Sequence, residues 1–179
     1  MAILYDPAFK TFTLHTKRTT YQMQADHYGY LLHLYYGRTS EGCLSYLLTY
    51  ADRGLSGSPY DAGEDRAYSL DFLPQEFPVQ GTGDYRSPLL IVRDADGVYG
   101  CDLRYAGHEI LKGKYSLPGL PAAYGSFEED GAQSLRITLR DERLSLEAEL
   151  WYGVLPEADI ITRSVILRNS GERTFIVHK

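Results

Sequence analysis

Between residues 134 and 150 the apolar side chains fall on every second position. Leu135, Ile137 and Leu139 come first; beyond Asp141, Glu142 and Arg143 follow Leu144, Leu146, Ala148 and Leu150. A period of two places these residues on one side of an extended chain. A helix with 3.6 residues per turn would scatter them around its axis. The stretch therefore predicts a β-hairpin with its turn at 141–143. The pattern recurs at 11–15 (Phe12, Leu14) and at 19–25 (Tyr21, Met23, Ala25). The run 30–37 is apolar on both faces, which predicts a strand buried on both sides, and Asp26, His27, Tyr28 and Gly29 before it have hairpin-turn chemistry. Residues 89–105 read as strand, Asp-Gly turn and strand. A short strand at 107–114 precedes a Pro/Gly break, and two further strands at 159–169 and 173–179 close the chain. No amphipathic helix of twelve or so residues is present; 43–50 fits either one helical turn or an edge strand. The expected fold is all-β, a large antiparallel β-sandwich of two stacked sheets.

A chain of 179 residues with 44% apolar side chains suits one domain with a substantial core, and its formal charge of −6, with scattered Lys and Arg, argues against a nucleic-acid surface. No apolar run has the length of a membrane span, and the start MAILYDPAFK lacks signal-peptide regions, so a cytoplasmic protein is expected. Cys43 and Cys101, the two cysteines, read as buried small side chains rather than a metal or disulfide framework. Most of the 16 tyrosines are expected to fill the sandwich interior.

Sequence motifs for catalysis are lacking. His15, His27, His33, His108 and His178 show no metal-ligand spacing, and His33 reads as a core histidine. Glu128, Glu129 and Asp130 read as a solvated polar loop, and Glu147 and Glu149 as the solvated face of a strand. One segment differs: 51–71 is long, polar and rich in Gly and Ser, and it carries Asp52, Arg53, Tyr60, Asp61, Glu64, Asp65 and Arg66. A plain surface loop accounts for it. So does sugar recognition, in which carboxylates and guanidinium bind hydroxyls while a tyrosine ring covers an apolar sugar face. The adjoining stretch FLPQEFPVQGTGDYRSPLL (72–90) has no helical period; its Asp84 and Arg86 lie two apart and share one face of an extended chain.

Several segments taken in order resemble one family: 1–16, HLYYG (33–37), SLDFLPQEFP (69–78), GDYRSP (83–88), GCDLRYAGHEILKGK (100–114), PGLPA (118–122) and IITRSVILRN (160–169). Together they resemble the N-terminal domain of bacterial α-galactosidases of glycoside hydrolase family 36. The resemblance implies a β-supersandwich that precedes a catalytic (β/α)8 barrel, with both catalytic aspartates in the barrel. It also implies hydrolysis of terminal α-galactosides of the melibiose and raffinose type, with retention through a glycosyl-enzyme intermediate. No metal or organic cofactor is implied, and the full-length enzyme is expected to be a homotetramer. On this basis 1–179 is a single N-terminal domain, cut short at its C-terminal end, with no catalytic residue of its own. The resemblance further implies that a loop here approaches a neighbouring subunit's active site. That singles out Asp52, Arg53, Tyr60 and Arg66 as substrate-binding candidates. The other readings are a stand-alone carbohydrate-binding module, with Trp151 and the tyrosines as stacking platforms, and a purely structural interface protein.

Overall fold

The alternating runs form strands, and the strands form two antiparallel meanders. The structure, a computed structural model, describes residues 1–52, 54 and 57–179. The first meander contains β1 (Ile3–Asp6), β2 (Thr11–His15), β3 (Thr19–Ala25) and β4 (Leu31–Arg38) in that order. The second contains β6 (Arg104–Lys112), β7 (Gln133–Asp141), β8 (Leu146–Leu155) and β9 (Ile160–Asn169). A small third sheet pairs β5 (Val92–Asp94) with β10 (Phe175–Val177). The 134–150 hairpin forms as expected, in the register Leu135 to Tyr152 and Ile137 to Leu150, although β8 begins only at Leu146 and Leu144 lies in the turn. No helix among the described residues is long and apolar enough to cross a membrane.

The two meanders face each other. Ile3, Phe12, Leu14 and Met23 from the first sheet pack in one core with Leu135, Ile137, Leu146, Leu150 and Val154 from the second. Leu31 points into this core, whereas Leu32 points the other way into a second cluster with Tyr30, Ala62, Tyr68, Leu70 and Leu73. This explains the two-sided apolar run at 30–37, and also its limit: Tyr36, farther along the strand, is 66% exposed.

At one corner of the sandwich lies a buried carboxylate. Glu76, its side chain 2% exposed, accepts hydrogen bonds from Tyr21 of β3 at 2.7 Å and Tyr152 of β8 at 2.8 Å. Arg163 of β9 pairs with it at 2.8 Å, and His33 Nδ1 lies 3.4 Å away. Burial, and then the charge of Glu76, push both phenols far above the ordinary tyrosine range, so both remain donors. Glu76 arrives there because 74–76 runs along the free edge of β4: His33 N–H donates to Pro74 O and Glu76 N–H to Leu31 O. A proline suits this edge, since its missing N–H is not required by the ladder.

Several sequence expectations are corrected. Only Tyr21, Tyr30, Tyr68 and Tyr152 are buried, and Tyr36, Tyr46, Tyr50, Tyr60, Tyr85, Tyr99 and Tyr124 are exposed, so most tyrosines do not fill the interior. The hairpin expected over 89–105 is reduced to its Asp-Gly turn and one bridge, Arg93 to Tyr99. Cys101 N–H donates to Gln80 O, which draws the returning segment away, and β5 pairs instead with β10. Residues 127–130 form a one-turn helix, α1 (Phe127–Asp130), because the Ser126 side chain caps Glu129 N–H. Glu149 is buried rather than solvated and holds Arg168 at 3.0 Å. Cys101 is buried but Cys43 only half-buried, and His33 lies at the rim rather than in the core. Strand β1 escaped notice because four residues with Ile3 buried and Leu4 44% exposed carry too short a pattern. Residues 43–50 contain a single 3₁₀ turn, Ser45–Leu47.

Removing the Glu76 carboxylate strands two buried phenols and a guanidinium together. Glu76→Ala is expected to cost about 3–5 kcal/mol, against about 1–2 kcal/mol for Tyr152→Phe. Urea denaturation of the two variants measures both; equal losses would contradict the role given to Glu76.

Candidate substrate-contact loop

Between β4 and β5 the chain makes a long excursion whose base is built from apolar residues and whose tip is polar. Ala62, Tyr68, Leu70 and Leu73 anchor the base against Tyr30 and Leu32, with Tyr28 and Leu48 at the rim. The Tyr68 hydroxyl donates to Asp26, and Asp26 also accepts from Tyr28 N–H at 3.0 Å and Tyr30 N–H at 2.8 Å. Burial first, and the bond to Asp26 second, push the Tyr68 phenol far above its ordinary value, so it stays a donor. The hairpin turn at 26–29 and the loop are therefore locked by one carboxylate.

Residues 72–90 tie down the other side. Arg86 donates through Nε and Nη2 to Asp84 at 2.8 and 2.7 Å, and through Nη2 to Leu70 O and Leu73 O, both at 2.8 Å. Gln75 adds a bond to Asp84 at 2.8 Å, and Tyr85 N–H donates to Asp71 at 3.0 Å. Asp84 and Arg86 thus bind the loop to its own domain. Gly57 and Gly83 cross so closely that a Cβ on Gly57 would come within 2.6 Å of Gly83 Cα, and only glycine permits that approach.

The tip presents the sequence-predicted residues. Asp52 and Arg66 meet at 3.3 Å with more than half of each side chain exposed. Tyr60 begins a 3₁₀ turn, Tyr60–Ala62, and is 98% exposed. Arg53 lies outside the described residues. Asp61, next to Tyr60, turns back to Arg104 at 2.7 Å; Arg104 also holds Asp102 at 2.7 Å and sits 4.3 Å above the Tyr30 ring. The sequence marks Asp61 among the polar residues of the loop, but its pairing with Arg104 was not anticipated. The two lie 43 residues apart, and no local pattern connects them.

An exposed ion pair and an exposed tyrosine ring carried by the same loop offer hydroxyl-binding groups and an apolar platform, which is binding chemistry. An open groove of about 920 Å³ nearby is lined by Asp61, Asp102, Asp141 and Glu142 among others. Asp61 and Asp102 are held by Arg104, Asp141 accepts from the N–H groups of Asp102 and Leu144, and Glu142 lies 3.6 Å from Arg140. These carboxylates are thus engaged by cations and backbone donors within the domain itself. Among the described residues no cluster of His, Cys, Asp or Glu could hold a metal ion.

Comparison with known proteins identifies the family. Residues 29–179 match the family model described as the glycosyl hydrolase family 36 N-terminal domain. The chain is 54% identical over 179 residues to the bifunctional alpha-galactosidase/sucrose kinase AgaSK of Mediterraneibacter gnavus, covering all of this chain and 19% of that protein. It is 38% identical over 174 residues to alpha-galactosidase AgaA of Geobacillus stearothermophilus, covering 96% of this chain and 23% of that one. Among solved structures, the galactosidase domain of AgaSK superposes with a TM-score of 0.96 at 54% identity, covering 99% of this chain and 24% of that one. An AgaA variant of G. stearothermophilus in complex with raffinose gives 0.87 at 37% identity, covering 94% of this chain and 23% of that one. The chain therefore spans about a fifth to a quarter of the relatives it matches.

The Asp84 carboxyl is raised by burial, but the bonds from Arg86 and Gln75 outweigh this and hold it below the ordinary carboxylate value. A group depressed in the folded state stabilises fully above its unfolded pKa, near about 4, and that stability is lost as pH falls through the folded value. Asp84→Asn is therefore expected to lower Tm at pH 7 and to flatten the decline of Tm from pH 4 downward. Calorimetry across that range tests this; a parallel decline in parent and variant would refute it.

Proposed function

Because the chain belongs to the glycosyl hydrolase family 36 N-terminal domains, we propose that 1–179 is the non-catalytic N-terminal part of a longer, cytoplasmic α-galactosidase, cut within its β-supersandwich. The observation that carries this reading is the pairing of close similarity across the whole chain with coverage of only a fifth to a quarter of each relative. The chemistry then lies in a catalytic barrel beyond these residues. There two carboxylates release terminal α-galactose from melibiose- and raffinose-type sugars with retention and without a cofactor. The raffinose complex of the AgaA variant supports that substrate class. The engaged carboxylates of the groove fit a domain that supports the barrel rather than one that cleaves bonds.

The loop tip gives the domain a second task. In a homotetramer, Asp52, Arg53, Tyr60 and Arg66 extend toward a neighbouring subunit's active site and contact the sugar there. The anchored base and polar tip suit such a loop, since a contact residue must be held firmly while remaining exposed. A stand-alone carbohydrate-binding module is the competing reading, and the 98% exposure of Tyr60 favours it. Galactose titration of 1–179 by calorimetry separates the two: saturable heat supports the module.

Purified 1–179 is expected to show no turnover of a chromogenic α-galactoside, and activity above a blank would overturn the assignment. In the longer enzyme, Asp52→Ala should lower kcat/KM on raffinose by roughly tenfold or more, the loss of one charged hydrogen bond, with Tm unchanged. An unaltered kcat/KM would remove Asp52 from the substrate site.

A further inference from the structure

The small β5–β10 sheet has one face committed to the core and one face open. Val92 and Phe175 pack inward. On the outward face Arg93 stands between Ile176 on β10 and Tyr99 across its bridge. Ile176 and Tyr99 are 45% and 49% exposed, and the Tyr99 ring lies 5.5 Å from that of His178. In the middle of this apolar and aromatic surface, Arg93 Nε is buried and has no hydrogen-bond partner among the described residues.

The neighbouring acids do not supply one. Asp94 points to the opposite face and is held by Arg143 at 3.0 Å. Asp96 lies in the turn, 78% exposed, and its nearest cation is Arg173 at 3.9 Å. A desolvated donor left unpaired is costly, more so on a charged group, and native structures rarely tolerate one. A guanidinium set among exposed apolar side chains has the form of an interface anchor awaiting its carboxylate, with Tyr99 and Ile176 placed to exclude water around the pair.

We propose that this face is a docking surface for a carboxylate-bearing segment of the same polypeptide, lying beyond the residues described here. The claim rests on the reading that the chain is one part of a longer α-galactosidase. Relatives carry about four-fifths to three-quarters of their length outside the matched region. A tethered segment also reaches the site at millimolar effective concentration, which a second molecule does not match. Electrostatic complementarity selects an acid, and the exposed Ile176 and Tyr99 select apolar residues beside it.

The test uses the full-length polypeptide with a benzophenone amino acid at position 176. Irradiation and peptide mapping should give an intramolecular cross-link to an Asp- or Glu-containing segment beyond residue 179. Arg93→Met keeps the aliphatic stem but removes the charge, and should cut the yield at least about fivefold, with Arg93→Lys restoring part of it. Cross-links between two copies, no cross-link in the parent, or an undiminished yield in Arg93→Met would each overturn the proposal. A gene product ending at Lys179 would instead refute the underlying reading, before any cross-link is made.

Discussion

The sandwich depends on one buried carboxylate. Glu76 belongs to neither meander, yet it binds a phenol from each, and a guanidinium from β9 neutralises it. A buried charge of this kind stabilises only when its lone pairs are filled and its counter-ion is close. Here Tyr21, Tyr152 and Arg163 meet that condition only in one relative placement of the two sheets. Apolar packing alone tolerates sliding of one sheet on another; the three polar bonds to Glu76 do not. The carboxylate therefore contributes registry between the layers as well as energy.

The long loop repeats this logic on a smaller scale. Its base is fixed by two more carboxylates: Asp26 collects the Tyr68 hydroxyl and two turn amides, and Asp84 collects Arg86 and Gln75. Arg86 in turn satisfies two loop carbonyls that have no strand partner. Acids that in isolation resemble catalytic candidates instead serve as junctions between segments without regular secondary structure. Such junctions let a loop of polar composition keep a definite path and leave Asp52, Tyr60 and Arg66 projecting from its tip.

Legibility from sequence varied with the range of the interaction. The hairpin of β7 and β8 was evident because Leu135, Ile137 and Leu139 mark one face over a few consecutive residues, and the 26–29 turn was evident from its chemistry. The resemblance carried by LPQEFP and GDYRSP pointed to the family. By contrast, the return strand after the Asp-Gly turn was over-predicted, since Cys101 bonds to Gln80 instead of continuing the hairpin. Glu149 was read as solvated because alternation places it on an outer face, whereas arginines from β7 and β9 cover it there. At the loop tip, the juxtaposition of Asp52 with Arg66 was hinted at by composition, but Asp61 with Arg104 was not.

By itself the sequence determined that this protein is built of antiparallel strands with one core-facing side, because side-chain alternation is a property of each strand's own backbone. It also marked the 51–66 stretch as the polar excursion. Only the tertiary structure decided which polar groups meet: Glu76 with Tyr21 and Tyr152, 55 and 76 residues away, and Arg93 Nε with no hydrogen-bond partner among the described residues. Those outcomes depend on how two sheets stack and where a loop crosses them. Pairings over such separations arise from the shape of the whole domain, and no local period encodes that shape.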